Sequence, residues 1–206
     1  MMWKVGPVRS AREGTAFRNA DILDVQLVGE TDRPRAVSEA TFAEIREASD
    51  ALISVRVDPL RFDPAQIARL VPDFLEFTPA DPEKPGRLAE QLAAVDSLGI
   101  PLICTGLTIA RDDLSLLADE SHLQRLVDAG ARYVQIEIQS FVDPDFRIRA
   151  AAREQTVDLL SRFPILIADS WTDLGTQTGI GEAGLFFDLL QEGITPAGVA
   201  RLMRGR

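Results

Sequence analysis

The sequence predicts an α/β fold in which short strands and helices alternate and close into a (β/α)8-type TIM barrel. Three observations point there. Seven apolar or alternating runs, at 3–8, 21–28, 51–57, 73–78, 100–105, 132–139 and 164–169, begin 18 to 32 residues apart, a spacing that holds one strand and one crossover helix. The stretches between them, 38–48, 64–70, 87–98, 112–129, 145–162 and 182–191, carry apolar residues three and four apart, as a helix buried on one face does. Four of the runs alternate apolar with polar side chains, whereas the buried strands of an open doubly wound sheet read as nearly continuous Val, Ile and Leu. An eighth strand is not visible, and 206 residues fall short of the ~250 usual for this fold, so seven strands are evident and the (β/α)8-type barrel is either complete with a hidden strand or incomplete.

Taken in order, run 3–8 opens the chain, and in run 21–28 Leu23, Val25 and Leu27 face helices while Asp24 and Gln26 face the other way. Ser38 starts the next helix as its N-cap, with Thr41 and Glu44 in the first turns. In the third run Ser54, Arg56 and then Asp58 oppose Ile53, Val55 and Val57, and Asp63-Pro64 opens the helix that follows. Glu76 and Thr78 oppose Leu75 and Phe77 in the fourth. Gly99 and Gly130 close helices just before the fifth and sixth strands. In the sixth, Gln135, Glu137 and Gln139 oppose Val134, Ile136 and Ile138; Asp143-Pro144 starts a further helix, and the seventh run ends at Asp169. No proline-rich linker, charge block or repeat divides the chain, which reads as one domain over 1–206.

Composition excludes whole classes of chemistry. A single cysteine, Cys104, forbids an internal disulfide or a multi-cysteine metal site, and a single histidine, His122, forbids His-rich metal cages. The net charge of −10 and a pI near 4.6 oppose non-specific attraction to nucleic acid or an anionic membrane. No apolar run approaches the ~20 residues of a membrane span. Met1 to Pro7 carries no apolar signal core, so the expected location is cytoplasmic.

A barrel of this kind works at the carboxyl ends of its strands. The polar residues there are Asp24, Gln26, Arg56, Asp58, Glu76, Thr78, Thr105, Gln135, Glu137, Gln139, Asp169 and Asp173. Either they form a site or they satisfy one another as an interior network. Arg56 is the most telling: a guanidinium at a strand end suits a carboxylate or phosphate oxygen pair, or else a salt bridge to Glu76 or Asp24. Asp24, Glu76, Glu137 and Asp169 could converge on Mg²⁺ or Mn²⁺, which accept all-oxygen coordination. Gly179-Ile180-Gly181-Glu182-Ala183-Gly184 fits G-x-G-x-x-G ahead of an expected helix. It comes too late in the chain for a dinucleotide fold, which leaves a phosphate loop at Gly179 and Gly181 or a plain flexible turn. His122 reads as a surface helix residue and Cys104 as a small buried hydrophobe. Only Lys4 and Lys84 could serve a Schiff base, and Lys84 lies in an evident loop.

The stretches Ala20-Asp21-Ile22-Leu23-Asp24-Val25-Gln26-Leu27 and Ala51-Leu52-Ile53-Ser54-Val55-Arg56 resemble the early strands of type I 3-dehydroquinate dehydratase. The stretches Gly130-Ala131-Arg132-Tyr133-Val134-Gln135-Ile136 and Pro164-Ile165-Leu166-Ile167-Ala168-Asp169-Ser170 are similar to its later ones. The resemblance puts Arg56 where that family has a substrate-carboxylate arginine and Asp24 near a family glutamate. Gln135 stands where the Schiff-base lysine belongs, and Gly106 or its neighbour where the catalytic histidine belongs. It therefore implies an anion-binding barrel without the covalent dehydration.

The function expected is a lyase or isomerase acting on a small anionic carboxylate or phosphate metabolite by non-covalent acid/base chemistry. Arg56, Glu76, Gln135, Thr105, Gly179 and Gly181 would bind substrate, and Asp24, Glu137 and Asp169 would move protons. Glu76, Glu137 and Asp169 would hold Mg²⁺ or Mn²⁺ where one assists; no nucleotide cofactor is expected. The alternative is a catalytically silent barrel that keeps the anion site as a binding or regulatory subunit. An incomplete barrel leaves an edge to cover, from which a homo-oligomer is expected.

Overall fold

The computed structural model describes residues 2–30, 34–81, 83–108, 120–137, 158–159, 161–169, 184–190 and 193–205. Eight parallel strands close a barrel in simple chain order: β1 (Met2–Gly6), β2 (Ile22–Gln26), β3 (Leu52–Arg56), β4 (Phe74–Phe77), β5 (Leu102–Thr108), β6 (Ala131–Glu137), β7 (Ile165–Asp169) and β8 (Gly184–Asp188). The described helices around it are α1 (Ala11–Ala16), α2 (Glu39–Glu47), α3 (Pro64–Leu70), α4 (Pro85–Asp96), α5 (Glu120–Asp128) and α6 (Pro196–Arg204). The barrel is complete, as the (β/α)8 reading has it, and contains the eighth strand that was not visible in the sequence. β8 pairs with β7 on one side and over all five residues of β1 on the other. Residues 184–188, expected inside a helix at 182–191, are this eighth strand, and the closing helix starts later, at Thr195-Pro196, where the Thr195 side chain accepts from Gly198 N at 3.1 Å. Closure also removes the open edge from which a homo-oligomer was expected.

Helix starts follow local chemistry. The side chains of Ser38 and Asp63 accept backbone N–H groups of Thr41 and Ala65, as their sequence positions imply, and Ser10 does the same for α1. Gly99 and Gly130, with φ of 62° and 94°, take the left-handed conformation that ends α4 and α5.

Two cores result from the two faces of the strands. Outward-facing Leu23, Val25, Ile53, Val55, Leu75, Phe77, Cys104, Val134 and Ile136 join the helices in one buried apolar shell. Inside the barrel, Ile22, Phe74, Ile103 and Leu166, with Met2 and Tyr133 against them, form a separate apolar floor at the amino-terminal end of the strands. At the seam Gly184 is required, because a Cβ there would lie 2.4 Å from the Met2 carbonyl oxygen. His122 is fully buried on α5 beside Leu123 and Leu126, a correction to its reading as a surface residue. It lies four residues before Leu126 and therefore shares that residue's face. Among the described residues, no helix is long and apolar enough to cross a membrane.

Candidate active site

Above the floor the strand alternation delivers a polar storey. Lys4, Asp24, Ser54, Glu76, Thr105 and Gln135 are buried inside the barrel, each on the face opposite the helix-facing apolar residues of its own strand. Glu76 is the hub. One carboxylate oxygen takes the Lys4 ammonium and, at 3.3 Å, the Ser54 hydroxyl. The other accepts Arg56 Nη2 at 2.6 Å and Nε at 3.1 Å. Burial alone would raise the Glu76 pKa, but Lys4 and Arg56 outweigh it and hold the carboxyl at about 2. Lys4 also donates to Gln135 Oε1 at 2.8 Å and stands 4.3 Å from the Phe186 ring centroid.

Arg56 closes this storey at its upper edge. Besides Glu76 it donates to Thr105 Oγ1 at 3.2 Å, while its Nη1 bonds to no described residue and its side chain is 17% exposed. Both sequence readings of Arg56 thus meet in one residue, which is a salt-bridge partner on one edge and an open donor on the other. Its pKa is raised: burial works against the charge, and Glu76 and Asp24 more than offset it.

Over Arg56 lies a cavity of about 100 Å³ at the carboxyl end of the barrel, bounded by Asp24, Gln26, Arg56, Gln135, Glu137 and Asp188 among others. Gly106 keeps one wall clear. Its φ is 76°, and a Cβ there would come within 2.8 Å of the Thr78 methyl. Asp24 is the group out of balance. Its carboxylate is buried, and Oδ1 has no hydrogen-bond partner among the described residues. Burial and then Glu76 push its pKa up; Lys4 and Arg56 pull the other way, and the result is about 7. The Gln26 Oε1 is likewise unpartnered. Gly6 leaves room for Asp24, since a Cβ there would lie 2.3 Å from the Asp24 Cβ.

Of the residues expected from sequence, Asp24, Arg56, Gln135 and Glu137 share this cavity. Glu76 and Thr105 sit beneath it and brace Arg56 rather than line it. The Asp169 side chain, Gly179 and Gly181 lie outside the described residues, as do Gln139 and Asp173. The backbone of Asp169 pairs in register with Phe187, a residue of the helix-facing shell. With Gly184 in a strand, the glycine segment leads into β8 and not into a helix, which removes the helix N-terminus from the phosphate-loop reading. Of the expected metal set, Glu76 has both oxygens engaged by Lys4, Ser54 and Arg56, and the Asp169 side chain lies outside the described residues. Among the described residues no group of three or more His, Cys, Asp or Glu could hold a metal ion.

Lys4 and Asp188 were missed as site residues. Alternation was a sufficient signal for Lys4, because Val5 is buried in the helix-facing shell and the residue beside it must face inward. Cys104 is buried in the outer shell, and that burial pushes its thiol up to about 12.

No known family model matches the chain, and no curated protein matches its sequence. Solved structures do. The chain is similar to N-(5'-phosphoribosyl)anthranilate isomerase from Pyrococcus furiosus, at 15% identity and TM-score 0.63 over 99% of this chain and 97% of that one. It is similar to phosphoribosyl anthranilate isomerase from Thermus thermophilus, at 13% identity and TM-score 0.66 over 100% and 97%. A third is a phosphoribosyl anthranilate isomerase in complex with reduced 1-(o-carboxyphenylamino)-1-deoxyribulose 5-phosphate, at 6% identity and TM-score 0.63 over 99% and 97%. At such identities the likeness shows the fold, a (β/α)8 barrel over the full chain. The dehydratase resemblance is corrected accordingly: its barrel stands, and its specific family finds no support.

Proposed function

We propose that this chain is an isomerase or lyase acting on a small phosphate- or carboxylate-bearing metabolite by non-covalent acid/base chemistry at the carboxyl end of the barrel. One observation carries the reading. A buried carboxylate with an unpartnered oxygen, Asp24, shares a cavity with a guanidinium whose outer edge is open, Arg56. Arg56 supplies the oxyanion contact through Nη1, fixed in place by Glu76 and Thr105. Asp24 takes and returns a proton near neutral pH, where a group of pKa about 7 does so with least penalty. Glu137, at the end of β6, and Asp188, at the end of β8, are further carboxylates lining the same space. Lys4 plays no covalent part, since its ammonium is enclosed and held by Glu76 and Gln135. The similar structures agree in substrate class, their names specifying a phosphoribosyl compound and a ligand with both carboxyl and phosphate groups.

The test is a panel of phosphorylated and carboxylated sugars in D₂O with the protein, followed by proton NMR. The expected result is protein-dependent loss of one C–H signal or conversion to an isomer or cleavage product, abolished in Asp24→Asn. Panel members that stabilise the parent thermally but show neither exchange nor conversion would instead favour the silent anion-binding barrel.

A further inference from the structure

The central cavity has room for only a few waters or one small oxyanion, whereas pockets that enclose a metabolite run to ~300–1,000 Å³. The space continues sideways. A second groove of about 280 Å³ opens between the segments following β3 and β4, and Arg56 and Thr78 line both it and the central cavity. Only the two together reach the size of a metabolite site.

The groove has its own cation. Arg87 lines it, and its guanidinium makes no hydrogen bond or ion pair with any described residue. It stands in the first turn of α4, a turn with no acidic residue, where the helix field disfavours a positive charge. The two carboxylates that line the groove are occupied elsewhere. Glu30 accepts from Asp63 N at 3.1 Å, and Asp58 accepts from Leu60 N at 3.1 Å and lies near Arg61. The groove thus offers two open guanidinium edges, Arg56 at its inner end and Arg87 on its wall.

Building on the reading of Arg56 as the anchor of a reacting anion, we infer that Arg87 binds a second oxyanion on the same substrate. The substrate class is then a small molecule with two separated anionic groups, and the groove selects its length. Isothermal titration calorimetry tests this with inorganic phosphate and glycerol phosphate as single-headed probes. Phosphoglycolate, 3-phosphoglycerate and 4-phosphoerythronate are two-headed probes of increasing length.

In the parent, one two-headed probe should bind about 10-fold or more tighter than glycerol phosphate. Arg87→Ala should erase that preference while leaving glycerol phosphate affinity within about 2-fold, and Arg87→Lys should keep part of it. Single-headed probes that bind without any gain for two-headed ones would overturn this inference and leave the Arg56 reading standing, as would an Arg87→Ala that weakens both kinds equally. Failure of every probe to bind the parent would overturn both.

Discussion

Replacing Asp24 by Asn should stabilise the protein at pH 8 and hardly at all at pH 4. In the folded chain the Asp24 pKa stands at about 7 against a usual 3.8, chiefly because the carboxylate is buried and faces Glu76. An acid whose pKa rises on folding binds its proton more tightly in the native state. Its contribution to stability is therefore complete below about 3.8 and lost as pH climbs through about 7. At ~1.4 kcal/mol per pH unit, that rise corresponds to a ceiling of ~4 kcal/mol. Asn keeps the shape and removes the ionisation. Glu76 does not confuse the comparison, since its pKa is lowered to about 2 and its contribution is lost only as pH falls from 4.5 toward that value. Urea melts of both proteins at half-unit steps from pH 5 to 8, without added ligand, would read the difference at constant slope. It should widen with pH up to about 7 and level off above it. A flat difference would mean that Asp24 is already ionised or well solvated, and the proton-transfer role assigned to it would lose its basis.

Three other outcomes follow from the polar storey and the outer shell. Lys4→Met should cost ~3–5 kcal/mol in urea melts, because it leaves the fully buried Glu76 short of one of its two cations; a loss below ~1 kcal/mol would refute the hub. Arg56→Ala should cost less, ~1–3 kcal/mol, since Glu76 keeps Lys4 and Ser54, and it should also abolish the thermal stabilisation by phosphate expected of the parent. Cys104 should resist a thiol reagent at pH 8 in the native protein and react fully in urea, as its buried thiol and pKa of about 12 require; rapid native labelling would place it elsewhere than in the outer shell.

The barrel and half of the cavity were legible because alternation is local. Asp24 and Gln26, Ser54 and Arg56, and Gln135 and Glu137 each declare their face within five residues of chain. The eighth strand was hidden by its brevity: Gly184–Asp188 runs into further apolar residues, and a short apolar run does not tell strand from helix by period. Its two phenylalanines and the later Thr195-Pro196 start were the available signals. Lys4 was weighed for reactivity and not for position, so its role as counter-ion went unseen. The Arg56–Glu76 pair was among the readings of adjacent strand ends, but the Lys4 contacts could not be read. Lys4 meets Glu76 across 72 residues and Gln135 across 131, and only closure of the barrel brings such distant positions together.

The apolar floor of Met2, Ile22, Phe74, Ile103, Tyr133 and Leu166 also governs traffic. With the amino-terminal end plugged, entry and exit among the described residues are confined to the carboxyl end of the barrel. Water displaced by an arriving molecule must leave past it, and a departing molecule must clear the entrance before the next can enter. Any compound released from such a cul-de-sac competes directly with the one it came from. Enlarging the floor by truncating Phe74 or Leu166 would not open a second exit but would create a dry void under the ionic storey, costing stability and leaving the order of entry and departure unchanged.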